Sequence, residues 1–299
     1  MTPDDHDIPS ARTRPDGRRV MALDGVAAVT GAGGGIGFAV AVELAARGAD
    51  VLALDLREEM AGPLEEACAS LPGSLTFRVL DVTDPGDFSF PDRLQVLVNN
   101  AGIRRAYLPV EETAAQEWRA IFDVNFFGLV DLTARAIPVL RARGAGVICN
   151  VTSAAILRPI PFLGPYRASK AAVAGFNETL RLEVAPFGIR VVEVLPGPTQ
   201  SSIATDSMTK RVADAVNYPP YAPMAKRLFE RNKELPDATP AAEVARSIVD
   251  SICNEEGPMR HGTSAGSVGA LKRWRMSSDE QLAAAALDAF GPTAAPGER

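Results

Sequence analysis

VAAVTGAGGGIGFAVAVELAARGADVLALDL, from Val26 to Leu56, is the stretch whose reading decides the fold. "VAAVT" and, from Val51, "VLALD" are apolar runs of strand length, and Ile36 to Arg47 between them reads as a helix. Runs of this kind alternating with helices signal βαβ units and a parallel sheet covered on both faces. The glycines join the first strand to the first helix, where they permit a tight turn and let a pyrophosphate approach the backbone under the helix N–H groups. The spacing of Gly31, Gly35 and Gly37 departs from G-x-G-x-x-G, and a glycine run alone can be a flexible turn. Asp55, followed by Leu56, ends the second strand where a carboxylate hydrogen-bonds the adenosine ribose of NAD. A 2′-phosphate would meet a like charge there, whereas Arg57 close by could favour NADP; the reading is NAD, with NADP the alternative.

The same rhythm continues outward. "LTFRVLD" from Leu75, "LQVLVN" from Leu94, "GVICNVT" from Gly146 and "RVVEVL" from Arg190 read as strands. Helices are predicted over Glu58–Ala69, Ala114–Arg143 (kinked or bounded near Pro138) and Tyr166–Phe187. The expected fold is α/β, a Rossmann-type doubly wound parallel sheet in three layers. After Leu195 the rhythm stops, and Pro196 to Pro240 carries Met208, Tyr218, Tyr221, Met224 and Phe229 as an insertion after the sixth strand, of the kind that forms lids. The expected organisation is a disordered arm over residues 1–22, a single domain over 23–255 with a lid over 197–240, and a C-terminal extension over 256–299. Ala241–Ile252 in the domain and Asp279–Phe290 in the extension are the remaining predicted helices.

Composition narrows the chemistry. The chain has 299 residues, 46% apolar and 23% charged, with net charge −6, which describes a globular, mildly acidic protein with nothing to draw nucleic acid or an anionic membrane. The most apolar stretch, Val26 to Leu56, is broken by six glycines and by Glu43, Arg47, Asp50 and Asp55, which argues against a membrane span. Cys68, Cys149 and Cys253 are widely spaced and suit a reducing cytoplasm, and no CxxC motif is present. With His6 and His261 the only histidines, a Ser/His/Asp triad or a histidine metal site has little material, and no metal is expected.

"PYRASKAAVAGF", from Pro165, sets Tyr166 and Lys170 one helical turn apart, so their polar tips can meet on one face. A free phenol has a pKa near ~10, and a neighbouring cation can lower an acid's pKa by roughly 1 to 3 units, which would make Tyr166 a usable base. YxxxK alone occurs by chance in many helices. In order along the chain, however, stand Thr30, Gly31, Gly35 and Gly37 (TGxxxGxG), Asp81 and Val82, Asn99, Asn100, Ala101 and Gly102 (NNAG), Asn125 in "DVNFFG", Ser153 in "NVTSAA", then Tyr166 and Lys170, and Pro196 and Gly197 with Thr199 close behind. This conjunction resembles the short-chain dehydrogenase/reductase family from about Leu23 to about Thr199.

The resemblance implies an oxidoreductase that interconverts a secondary alcohol and a ketone by hydride transfer. It implies Tyr166 as general acid/base, Lys170 as its cation and as holder of the nicotinamide ribose, Ser153 bonded to the substrate oxygen, and Asn125 positioning a water that relays protons from Lys170. It places Thr30, Gly31, Gly33, Gly34, Gly35, Ile36 and Gly37 around the pyrophosphate, and Asp55, Leu56, Asp81, Val82 and Asn99 along the adenosine half. Ala101 and Gly102 belong to the same cofactor groove, with Pro196, Gly197 and Thr199 beside the carboxamide. It also implies a homodimer or homotetramer.

Ile156, Leu157, Ile160, Phe162 and Leu163, between Ser153 and Tyr166, suggest a lipophilic substrate, steroid-, retinoid- or polyketide-like; packing of a lid or an oligomer contact is the alternative. Two departures from the family stand out: "VTDPGDFSFPDR" leaves room for only a turn or two of helix before Leu94, and the last strand is poorly formed in "MRHGTSAGSVG". Competing functions are a dinucleotide-binding sensor without turnover, and a lyase or epimerase using transient oxidation.

Overall fold

The computed structural model describes residues 12–13, 19–105, 107–200, 215–233 and 238–291. Seven strands form its central sheet: β1 Val26–Thr30, β2 Asp50–Asp55, β3 Ser74–Val79, β4 Leu94–Asn99, β5 Gly146–Val151, β6 Ile189–Leu195 and β7 Arg260–Gly262. They pair in parallel in the order β7-β6-β5-β4-β1-β2-β3. The order reverses between β1 and β4, so a crevice opens at their carboxyl ends.

The helices are α1 Gly35–Ala46, α2 Ala61–Cys68, α3 Ala115–Phe122, α4 Gly128–Arg143, α5 Gly164–Val184, α6 Ala222–Lys233, α7 Ala241–Cys253, α8 Ala265–Met276 and α9 Asp279–Phe290. Alternate strand residues feed opposite faces. Val29, Val96 and Val98 pack with Val40, Leu44, Leu64 and Ile248 of α1, α2 and α7. Ala28, Leu97 and Ile148 pack with Leu132, Leu140 and Leu180 of α4 and α5. Each fully buried leucine here stabilises the fold by roughly 1.5–3 kcal/mol, and together they lock the three layers.

The short connection after β3 has no helix, less than the turn or two its length allows. Phe88 and Phe90 take a helix's place against the sheet, their rings edge to face with centroids 4.9 Å apart. Arg135 of α4 ties this loop down by donating to the carbonyls of Gly86 and Phe88.

Four expectations need correction. The last strand does form: β7 pairs with β6, and Arg260 Nε donates to the buried Glu193 carboxylate at 2.8 Å, an ion pair that compensates for the missing apolar run. An unexpected helix, α8, follows it, started by a reciprocal capping box between Ser264 and Ser267. The interruption expected near Pro138 lies upstream, as a π-helical turn over Asp123–Phe127 between α3 and α4, while Pro138 sits inside α4. The arm is ordered near its end: Arg12–Thr13 pairs antiparallel with Arg19–Val20, and the Met21 N–H donates to the Cys253 carbonyl of α7. Residues 1–11 and 14–18 of the arm, 201–214 and 234–237 of the lid, and 292–299 of the extension lie outside the described residues.

Candidate active site

The loop after β1 is stitched to the loop after β4. Thr30 Oγ1 accepts from the N–H groups of Asn100 and Ala101, both at 3.0 Å, and Asn100 Nδ2 donates to the carbonyls of Thr30 and Gly31. Gly31 has φ +65° and Gly35 φ +54°, the left-handed region that glycine enters at no steric cost. A Cβ on Gly37 would stand 2.1 Å from the Gly31 carbonyl oxygen, so only glycine lets α1 start this close to β1. Gly34 is the N-cap, and the N–H groups of Gly35, Ile36 and Gly37 in the first turn have no helical acceptor.

Asp55 reaches across to this loop and accepts from Gly33 N at 2.8 Å and from Arg57 N and Nε at 3.0 and 3.1 Å. Burial works against its charge, but the Arg57 side chain and the two backbone donors outweigh it and hold the carboxyl below the ordinary range. Arg57 itself lies over the glycine loop, its Nη2 3.2 Å from where a Cβ on Gly34 would be. Leu56 is exposed beside it. Helix N-terminal amides at a glycine turn with an ionised carboxylate at the next strand's end are a donor and acceptor set that fits the pyrophosphate and ribose of a dinucleotide.

Further along, Asp81 Oδ1 accepts from the N–H and hydroxyl of Thr83, and the Val82 carbonyl lies so near α4 that a Cβ on Gly128 would come within 2.6 Å of it. The Asn99 side chain is used inward. It donates to Thr133 Oγ1 and Asn150 Oδ1, and Asn150 donates in turn to Asn177, a buried amide chain tying β4 and β5 to α4 and α5. Ala101 and Gly102 are half-buried just beyond it.

On the opposite side, Ser153 follows β5 and caps the short turn Ala154–Leu157, its Oγ accepting from Ala155 N at 3.1 Å. The Thr152 hydroxyl donates to Glu193 Oε1 at 3.0 Å, and Ala154 N donates to the buried Pro196 carbonyl, so β6 braces the strand end that carries Ser153. Gly197 packs near Ser264, and Thr199 Oγ1 donates back to the Gly197 carbonyl at 3.1 Å.

Tyr166 and Lys170 lie one turn apart on α5, which Pro165 helps to start. Lys170 is buried, its Nζ donating to the Val151 carbonyl at 2.8 Å, and burial pulls its pKa down to about 8. Asn125 is fully buried in the π turn; it exchanges both hydrogen bonds with the backbone of Ile103 and donates to Ser169 Oγ. A Cβ on Gly102 would lie 3.2 Å from Asn125 Oδ1 and 3.4 Å from Lys170 Nζ, so these three expected residues do come together. π turns of this kind are frequent at functional sites.

Around Tyr166 lie residues that sequence reasoning missed. The Arg104 guanidinium stands 5.8 Å from the Tyr166 ring centroid and 5.9 Å from that of Tyr107. Tyr166 packs in an apolar cluster with Tyr107, Phe162 and Leu163, Leu228 of α6, and Phe290 at the far end of α9. "IRRAY" directly after NNAG was the available signal for Arg104; nothing local marks Phe290.

The family model for short chain dehydrogenases matches residues 25–212. This chain belongs to the short-chain dehydrogenase/reductase family. An uncharacterized oxidoreductase of Thermotoga maritima is 34% identical over 78% of this chain and 92% of its own length. Cyclopentanol dehydrogenase of Comamonas is 32% identical over 80% and 94%. A crystal structure of a short chain dehydrogenase from Burkholderia cenocepacia in complex with NADP superposes with a TM-score of 0.66 at 25% identity, covering 89% of this chain and 99% of that one. Among the described residues no helix is long and apolar enough to cross a membrane, and no three His, Cys, Asp or Glu side chains gather as metal ligands. Burial pushes the Cys149 thiol up to about 12, out of reach as a nucleophile.

Proposed function

We propose that this oxidoreductase uses NAD to interconvert a secondary alcohol and a ketone on a lipophilic small molecule, working in the cytoplasm as a homodimer or homotetramer. The observation that carries it is the meeting of Lys170, Asn125 and Gly102 one helical turn from Tyr166, against the end of the strand that presents Ser153. The α1 amides and Asp55 would hold the dinucleotide, and its nicotinamide supplies or accepts the hydride when bound. Tyr166 takes the alcohol proton at its phenolic oxygen during oxidation and returns it during reduction. The Lys170 ammonium stabilises the phenolate, while its anchor on Val151 fixes the distance at which it acts. Ser153 hydrogen-bonds the substrate oxygen, and Asn125, immobilised by Ile103 and Ser169, orders the relay that reprotonates Lys170. The apolar cluster on Tyr166 supports a lipophilic substrate, in keeping with the alicyclic alcohol in the name of the Comamonas relative.

Tyr166→Phe tests the reading. Turnover is expected to fall ~10²- to 10⁴-fold, while NADH binding, followed by fluorescence, stays within about twofold. Undiminished turnover would sink the assignment. A second cofactor reading is favoured by Arg57 over Gly34 and by the NADP in the Burkholderia structure: the guanidinium would take a 2′-phosphate. Titrating NADH and NADPH against the same protein separates the two, and tighter NADPH would overturn the role given to Asp55.

A further inference from the structure

The chain is acidic overall, with net charge −6, yet three elements bring arginines to one region of its surface. Arg158 follows the turn Ala154–Leu157 that Ser153 caps, Arg231 lies on α6, and Arg273 lies on α8. Packing sets these elements side by side. Leu157 and Ile156 lie against Leu271 and Trp274 of α8, while Met224 and Leu228 of α6 cover Ile160, Phe162 and Leu163 in the cluster that includes Tyr166. The loop from Ser153 to Tyr166 therefore passes α8 at its first turn and α6 at its last residues, with an arginine at each border.

The Arg231 guanidinium lies over the Phe290 ring at 5.9 Å, and Arg273 Nη1 folds back to 3.5 Å from where a Cβ on Gly269 would be. Among the described residues none of the three has a carboxylate within ion-pair distance, whereas Arg47, Arg93, Arg135, Arg143 and Arg260 each have one. Burial, and then the Arg231 and Arg273 charges, lower the pKa of Arg158, so both guanidiniums bear on Arg158. Like charges gathered without a counter-ion destabilise the folded chain, and an oxyanion seated among them would reverse that effect. The planar forks of arginine match phosphate and carboxylate.

We propose that Arg158, Arg231 and Arg273 form an anion site at the border of the apolar cluster around Tyr166, which holds a phosphate or carboxylate on the far end of the substrate. The proposal rests on the oxidoreductase reading for where the reacting carbon sits, and it refines the substrate to an amphiphile: a ketone or secondary alcohol at Tyr166, an apolar body, and an acidic group at the arginines.

Calorimetric titration of the NADH-saturated enzyme with octyl phosphate, octanoate, octanol and inorganic phosphate tests it. At least one of the two charged octyl ligands is expected to bind ten times more tightly than octanol or better. Arg158→Gln with Arg273→Gln should erase that preference by about ten- to a hundredfold, and raising salt from about 20 to about 200 mM should weaken it. Thermal midpoints of the variants at or above wild type, as repulsion is relieved, would show that they fold. Equal affinity for octanol and both charged ligands, or a preference that survives the double substitution, would overturn the site. Inorganic phosphate binding as tightly as octyl phosphate would overturn the substrate-tail assignment in favour of a free anion. The readout is binding, so arginine-dependent affinity in an enzyme that reduces no ketone would leave the site standing and remove the oxidoreductase reading instead.

Discussion

Around the glycine loop, backbone sets the geometry: the N–H groups of Asn100 and Ala101 hold Thr30, those of Gly33 and Arg57 hold Asp55, and the carbonyl of Gly31 leaves no room for a side chain at position 37. Around Tyr166, by contrast, the walls are side chains from distant segments, with Tyr107, Phe162, Leu228 and Phe290 meeting in one apolar cluster. The first side is a cradle that tolerates no added atom at Gly31 or Gly37; the second is a packed surface that can be reshaped one residue at a time. A backbone cradle suits a ligand that never varies, and an apolar wall of side chains suits one that differs between relatives.

That contrast can be broken most severely at Gly37. In Gly37→Ala the new Cβ meets the Gly31 carbonyl and Asn100 Nδ2, and the backbone of that loop cannot yield. A loss of ~3 kcal/mol in urea unfolding is expected, with NADH binding weakened more than about a hundredfold. Near-normal values for both would show the cradle to be looser than drawn.

Lys170 offers a sharper test on the Tyr166 side. Its folded pKa of about 8 lies below the ordinary 10.5, so between these values the folded chain has released a proton that the unfolded chain keeps. Its contribution to stability is therefore fully present above pH 10.5 and lost as pH falls through 8, a swing on the order of 3 kcal/mol. Dinucleotide-free Lys170→Met should be more stable than wild type at pH 7, with the advantage shrinking toward pH 10.5. A difference independent of pH would mean that the ammonium is better solvated than its burial implies.

The smallest effect is expected at the far end of the apolar wall. Phe290→Ala should raise KM for the alcohol or ketone about tenfold through lost packing, with NADH affinity unchanged. A change confined to NADH binding would place α9 on the wrong side of the cleft.

The same division explains what the sequence made legible. β1, the glycine loop and Asp55 are written in adjacent residues, and NNAG, Asn125, Ser153 and YxxxK are named by their order and their resemblance to the family's motifs, so all could be pointed to from the sequence. β7 was missed because Arg260, His261 and Gly262 form no apolar run; pairing with β6 and the bond to buried Glu193 hold it in place. α8 was missed because Gly266 and Gly269 made its start read as loop, although the Ser264–Ser267 box was visible. Asn100 was read only as part of NNAG, and its grip on Thr30 and Gly31 exists only once β1 and β4 lie side by side. Phe290 depends wholly on tertiary packing, while Arg104 stood unread directly after NNAG.

The π turn at Asp123–Phe127 adds a residue to one circuit of the helix and so sets the phase of everything after it. If the turn tightened to ordinary α geometry with all its residues kept, the extra one would take its own step of rotation and turn α4 by about 100°. Leu129, Leu132, Ala136 and Leu140 would then swing off the sheet, and polar positions would face it instead. Deleting one residue of the turn would instead restore an ordinary circuit with α4 still facing the sheet, so the wide turn is what lets the extra residue stay without unpacking that helix.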